Sequence, residues 1–228
     1  MISRTFGIDY IYFDLVFLAA WTGLLYYKKY RGPLKWGLAG AIIYLLIDYL
    51  LWFRIMGTRH YEGPLPVMLF FLWFCFSPGF VQFSYVIVLF EKRSIREVVS
   101  WTLLLYGGWT LVGLLSKWIP LDDRVIRVWR DMGQGHQHTI MLWLVVANLV
   151  IAVILYLRKT LQLKKILYFF LTGTLVEFAL EFSLAVTGLR LEQGTWSPQM
   201  MLINSLVEFN CGIVIMYLLW RYFDAKDK

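Results

Sequence analysis

The stretch 175-LVEFALEFSLAVTGLRLEQG-194 decides how this chain is read. Its apolar run begins near residue 165 and is long enough to cross a bilayer, which takes roughly 20 apolar residues in a helix. Yet it carries Glu177 and Glu181, four residues apart and therefore on one helical face. An ionised carboxylate at mid-bilayer costs about 2.5–3.5 kcal/mol even on the lenient insertion scale. Two of them in one span point to a helix–helix contact, a transport path, or an acid that does chemistry on an apolar molecule.

The rest of the chain places that span in a membrane protein. Hydrophobic residues make up 60% and charged residues 16%, and mean hydropathy is +0.63. A soluble domain carries about a quarter charged residues. Seven runs have spanning length, near 11–27, 34–55, 66–90, 99–118, 139–157, 165–189 and 198–221. The expectation is an all-α polytopic protein, residues 1–228 forming a single seven-helix transmembrane domain. In a bacterium its place would be the plasma membrane, and in a fungus the endoplasmic reticulum.

The net charge of +7 invites a nucleic-acid reading, but the distribution opposes it. One set of alternate loops holds Lys28, Lys29, Arg31, Lys35, Lys92, Arg93, Arg96, Arg158, Lys159, Lys164, Lys165, Arg221, Lys226 and Lys228. The other set holds the remaining basic residues, mixed with Asp122, Asp123 and Asp131. The positive-inside rule then puts the N-terminus out and the C-terminus in. The N-terminus has no basic stretch ahead of a short apolar core and cleavage site, so the first run reads as a retained helix. Cys75 and Cys211 both fall in spans, which argues against a disulfide framework.

Residues 119–138 form the longest connection, and Val125, Val128 and Trp129 at helical spacing predict a short interfacial helix or a lid there. The segments 57-GTRHYEG-63 and 188-GLRLEQG-194 share Gly, Arg and Gly at equal offsets, hinting at a 3+1+3 repeat of helices. Pro78 predicts a kink in the third helix, because its nitrogen cannot donate to the preceding turn. Three histidines, His60, His136 and His138, fall in outer loops. They lack the helical spacing that fixes a metal site, so ordinary loop histidines are preferred to a zinc centre.

Five carboxylates lie within spans: Asp14, Asp48, Glu177, Glu181 and Glu208. Unpaired, they would cost more than about 10 kcal/mol, and no Lys or Arg lies deep in a span to meet them. Helical rise puts Asp48, Glu181 and Glu208 at similar depth, roughly 13–15 Å in. Asn204 and Glu208 share a face, as do Glu177 and Glu181. Two converging polar faces imply one interior site of protonated acids, or else hydrogen-bond glue between helices. Rings are abundant, at 18% aromatic. Trp21, Tyr49, Trp52, Trp73 and Phe178 are expected substrate-facing positions beside Asn204, since ring faces stabilise cations.

Two segments carry a resemblance. The stretches 21-WTGLLYYKKYRGP-33 with 43-IYLLIDYLLW-52, and 206-LVEFNCGIVIMYLLWR-221, resemble the small seven-helix membrane terpene cyclases of meroterpenoid and indole-diterpene pathways. The resemblance implies an essential acid in helix two, at Asp48, and another in helix seven, at Glu208. The family favours Glu and Asp there in the reverse assignment, and Glu177 and Glu181 have no counterpart. It further implies protonation of an epoxide or alkene of a polyprenyl chain, followed by cation-driven ring closure, with no cofactor. The expected function is therefore an intramembrane cyclase with Asp48 and Glu208 as principal acids and Glu181 and Glu177 assisting. A proton-coupled small-solute or ion transporter is the alternative, and a non-catalytic receptor or assembly factor is a third.

Overall fold

In a computed structural model, which describes residues 2–91, 94–130, 137–192 and 198–224, the apolar runs become helices. They are α1 (Asp9–Tyr27), α2 (Arg31–Tyr44) continuing as a π-helical stretch (Leu45–Ile55), α3 (Val67–Phe90), α4 (Ile95–Trp118), α5 (Gln137–Leu157) and α6 (Leu163–Val186). Among the described residues, six helices are long and apolar enough to cross a membrane. The last run is divided into α7 (Pro198–Val207) and α8 (Ile213–Asp224). Their ends follow local chemistry. Ser94 caps α4 by accepting from the Glu97 amide, and Pro198 opens α7 where its missing donor costs nothing.

The connection 119–138 corrects the helical expectation. Val125–Arg130 is a strand, β3, because its apolar residues alternate. Ile126, Val128 and Arg130 are buried while Val125 and Arg127 are exposed. Three further strands, which the all-α reading did not anticipate, join it: β1 (Ile2–Gly7), β2 (Arg59–Glu62) and β4 (Arg190–Glu192). The sheet is antiparallel in the order β2-β3-β1-β4. β1 and β3 lead into α1 and α5, while β2 and β4 follow the π-helical stretch and α6, so the sheet roofs one end of the bundle. Its outward side carries His60 stacked on Trp129 at 5.2 Å and Arg127 over the same indole. Its inward side carries Phe6, Ile126, Val128, Arg59 and Arg130, all buried.

Local geometry recurs between the halves. Lys29 and Lys159 take left-handed backbone at φ 57° and 56°, just after α1 and α5. Gly57 and Gly188 do so at 61° and 62°, each two residues before the arginine that opens an edge strand. The segments beginning at Gly57 and Gly188 thus open on the same backbone conformation, while residues 193–194 of the second lie outside the described residues. Exchanging the halves maps the strand order onto itself.

α3 runs without interruption through Pro78, and its small residues let α2 approach. A Cβ on Gly79 would lie 2.7 Å from the Gly40 carbonyl oxygen, so the two backbones touch, as small residues allow in membranes.

Candidate functional site

The expected acids converge beneath the sheet. Asp48 sits in the π-helical stretch, where the turn is widened and side chains are re-aimed. Glu208 sits at the start of the interruption between α7 and α8. Glu177 and Glu181, both buried, come from one face of α6. Oxygens of Glu177, Glu181 and Glu208 all lie within 4.8 Å of one another. Asp48, Glu177 and Glu208 line one cavity of about 30 Å³ with Tyr44, Pro78 and Leu180, room for about one water.

The partners of these acids are where the sequence reading is corrected. No basic residue lies deep in a span, yet arginines reach the acids from the roof. Arg59 of β2 is ion-paired with Asp48, and Arg130 of β3 with Glu208. Arg4 of β1 lines the same cavity, and Arg4 and Arg59 both lie over the Phe74 ring. Asp48 and Glu208 therefore each have a guanidinium partner, which the sequence reading did not provide for. Burial pulls Arg59 below its ordinary pKa, opposed by Asp48. For Arg130 burial also pulls down, but the charge and hydrogen bond of Glu208, with help from Glu181 and Asp48, hold it above. Nε of Arg59 is buried and has no hydrogen-bond partner among the described residues.

Glu177 is tied into a relay. The Gln82 amide donates to Glu177 Oε2 at 2.9 Å, and the Tyr44 hydroxyl donates to Gln82 Oε1. Gln82 sits one turn beyond Pro78 on α3.

The interruption at 208–212 is held by side chains, as irregular backbone within a membrane must be. The Asn148 amide of α5 donates to the Cys211 carbonyl. Asn210 donates to Thr174 Oγ1 of α6 at 2.9 Å. The Cys211 carbonyl thus finds a donor on α5, Asn210 ties the interruption to α6, and Glu208 lies against the acids of α6.

The remaining expected positions divide. Trp73 is near the site: its indole donates to Asp14 Oδ2 at 2.9 Å, beside a second cavity of about 30 Å³ lined by Arg4, Asp14, Ser77 and Trp109. Asn204 is buried one turn before Glu208, its Nδ2 without a partner among the described residues. Trp21 instead donates to Ser84 Oγ and packs on Trp101 at 4.8 Å. Tyr49 stacks on Phe53 and Phe71. Trp52 is buried and its carbonyl receives the Thr58 amide. Phe178 packs with Tyr106 and Phe182. These four are packing residues that do not line the cavity. Of the histidines, His60 is a sheet residue stacked on Trp129. His136 lies outside the described residues, and His138 is described only as backbone of α5.

Arginines 4, 59 and 130 and the Tyr44–Gln82–Glu177 hydrogen bonds are site features that the sequence did not single out, whereas Asp14 stood among its five intramembrane acids. Their signal was the inward–outward alternation of 125-VIRVWR-130, which makes every second residue of a short strand face the bundle. Comparison with known proteins gives no further identification: no family model, curated protein or solved structure matches the chain.

Proposed function

We propose that this chain is a seven-span intramembrane enzyme that protonates an isoprenoid chain and closes rings by the resulting carbocation, in the manner of the membrane terpene cyclases it resembles. In this reading the sheet lies on the outer side and the lysine turns at 29 and 159 on the inner side. That orientation follows the positive-inside distribution. The recurring turns mark two three-helix units joined by α4.

The observation that carries the reading is the meeting of acids from helices two, six and seven on one water-sized cavity. Among the described residues, the guanidiniums of Arg4, Arg59 and Arg130 face the carboxylates of Asp48, Glu177, Glu181 and Glu208. Net charge in such a place is penalised by several kcal/mol. Neutrality leaves one proton on the carboxylates. Asp48 and Glu208 have guanidinium partners, and in this reading the proton is assigned to the Glu177–Glu181 pair on α6. That carboxyl O–H transfers its proton to an alkene carbon or epoxide oxygen. The cation formed at carbon is attacked by a neighbouring π bond, which closes a ring. A final C–H proton returns to a carboxylate, regenerating the site, and the reaction is an isomerisation that consumes nothing. The Gln82 amide, itself held by the Tyr44 hydroxyl, positions Glu177 by donating to its Oε2.

The test is co-expression with polyprenyl precursors, olefinic and epoxidised, followed by mass spectrometry of the lipid extract. New cyclic isomers should accumulate with the wild type and vanish with Glu177→Gln, Asp48→Asn or Glu208→Gln at equal membrane abundance. Isomers that persist in all three variants would refute the assignment.

A proton-coupled carrier is the second reading. The interrupted α7–α8 and the π-helical stretch place irregular backbone at the acids, as in carriers, and such a protein would move a solute in sealed vesicles along a pH gradient.

A further inference from the structure

A trough runs down the apolar flank of the bundle between α1 and α3. Its upper part, about 430 Å³, is walled by Ile11, Leu15, Leu69, Leu72 and Phe76. Its lower part, about 620 Å³, continues past Ala19 and Thr22 to Tyr26. The parts share Leu15, Leu18 and Phe76, so they form one groove. From Ile8 to Tyr26 the chain rises roughly 27 Å, close to the thickness of the hydrocarbon core.

The groove does not end blindly. Trp73 and Ser77 border both its upper part and the small cavity that holds Asp14. That cavity in turn shares Arg4, Phe74, Pro78 and Leu180 with the acid–guanidinium site. Three spaces thus lie in succession, and the Trp73 indole is the partition between the first two, latched to Asp14 by its 2.9 Å hydrogen bond. The hollow beside Arg31 and Trp220 shares no lining residue with the acid site.

We infer that the α1–α3 groove is the lateral entry port for the single hydrocarbon tail of an isoprenoid, with Trp73 as the gate through which its reacting end passes to Asp14 and the acids. The inference rests on the proposed isoprenoid chemistry for its occupant. Three features favour a single isoprenoid tail over bulk phospholipid. The walls are apolar apart from Tyr12, Thr22, Tyr26, Ser77 and Arg124, the length matches one extended chain, and among the described residues the lead inward past Trp73 and Ser77 reaches Asp14. The isolated hydroxyl or epoxide of such a tail carries no charge to be stripped of water on passing Trp73.

The experiment is photo-crosslinking in proteoliposomes with a diazirine-bearing geranylgeraniol, with mass-spectrometric mapping of the labelled peptides. Label should fall on α1 and α3, be competed by plain geranylgeraniol, and drop about tenfold, or 1.4 kcal/mol of binding, in Leu69→Trp/Leu72→Trp, which fills the groove from its lipid side. Trp73→Ala should move label inward, onto α6 peptides. Label spread equally over α5, or equal uncompeted labelling by a diazirine phosphatidylcholine, would overturn the entry port. Because the readout is binding, Glu177→Gln should label as wild type does. Intact labelling with no cyclic product in any cell would leave the port standing and remove the cyclase.

Discussion

Arginines from the roof descend to meet Asp48 and Glu208, and this pairing sets what each substitution should do. Arg130→Met leaves the partly buried Glu208 without its guanidinium. Breaking a buried pair on one side typically costs about 3–5 kcal/mol, so the variant should unfold at markedly lower temperature in micelles. Arg130→Met/Glu208→Leu should recover most of that loss while remaining inactive, since replacing both partners with apolar groups is close to neutral. A double variant as unstable as the single one would show that the pair is not the relevant contact. Glu177→Gln differs in kind: it keeps the hydrogen-bonding capacity toward Gln82 and removes only the titrating proton. Its thermal stability should stay within about 1 kcal/mol of wild type while turnover disappears. The four acids were legible as residues, because carboxylates in apolar runs are conspicuous. Their arginine partners were not: Arg130 lies 78 residues from Glu208, and Arg59, only 11 residues from Asp48, sits in a strand of 4 residues that is too short to read as one.

The elements show where pattern suffices and where it does not. Six helices begin and end within a few residues of the apolar runs, because hydrocarbon length and the polar turns at 28–31, 91–94 and 158–162 bound them. The seventh run reads as continuous, yet it is interrupted at 208–212. Nothing in 206-LVEFNCGIVI-215 forbids a helix outright; the interruption is stabilised by Asn148 and Asn210, which belong to tertiary contact. Asn148→Leu should therefore leave the Cys211 carbonyl unsatisfied and lower stability by about 1–3 kcal/mol, measurable by thermal unfolding, with an accompanying fall in activity as Glu208 is re-aimed. An unchanged melting temperature would mean that water supplies the missing donor. The sheet was missed for a different reason. A helical spacing of Val125, Val128 and Trp129 competes with the alternation of Ile126, Val128 and Arg130, and only pairing with β1 and β2 resolves it. At the α2–α3 contact, Gly79→Val should cost about 1–3 kcal/mol, because the added carbons meet the Gly40 carbonyl and Ala41 Cα. Gly23→Val, with open space around it, is the matched control and should be silent.

On the scale of the whole molecule, the proposed orientation puts the roof outside and the charged turns inside. A cysteine placed at Glu62, on the exposed end of β2, should react with an impermeant maleimide from outside intact cells. One placed at Lys159 should react only after permeabilisation; the reverse pattern would invert the molecule in the membrane. Native Cys75 is buried and should stay silent. The account as a whole turns on a proton retained near Glu177 and Glu181 at neutral pH, balanced by three arginines from the sheet. Infrared spectroscopy of the purified protein in lipid, compared with Glu177→Gln/Glu181→Gln, addresses that directly. The account predicts a carbonyl stretch of a protonated, water-poor carboxylic acid at neutral pH that shifts in heavy water and is absent from the double variant. A wild-type spectrum without that band, or an identical band in the double variant, would contradict it.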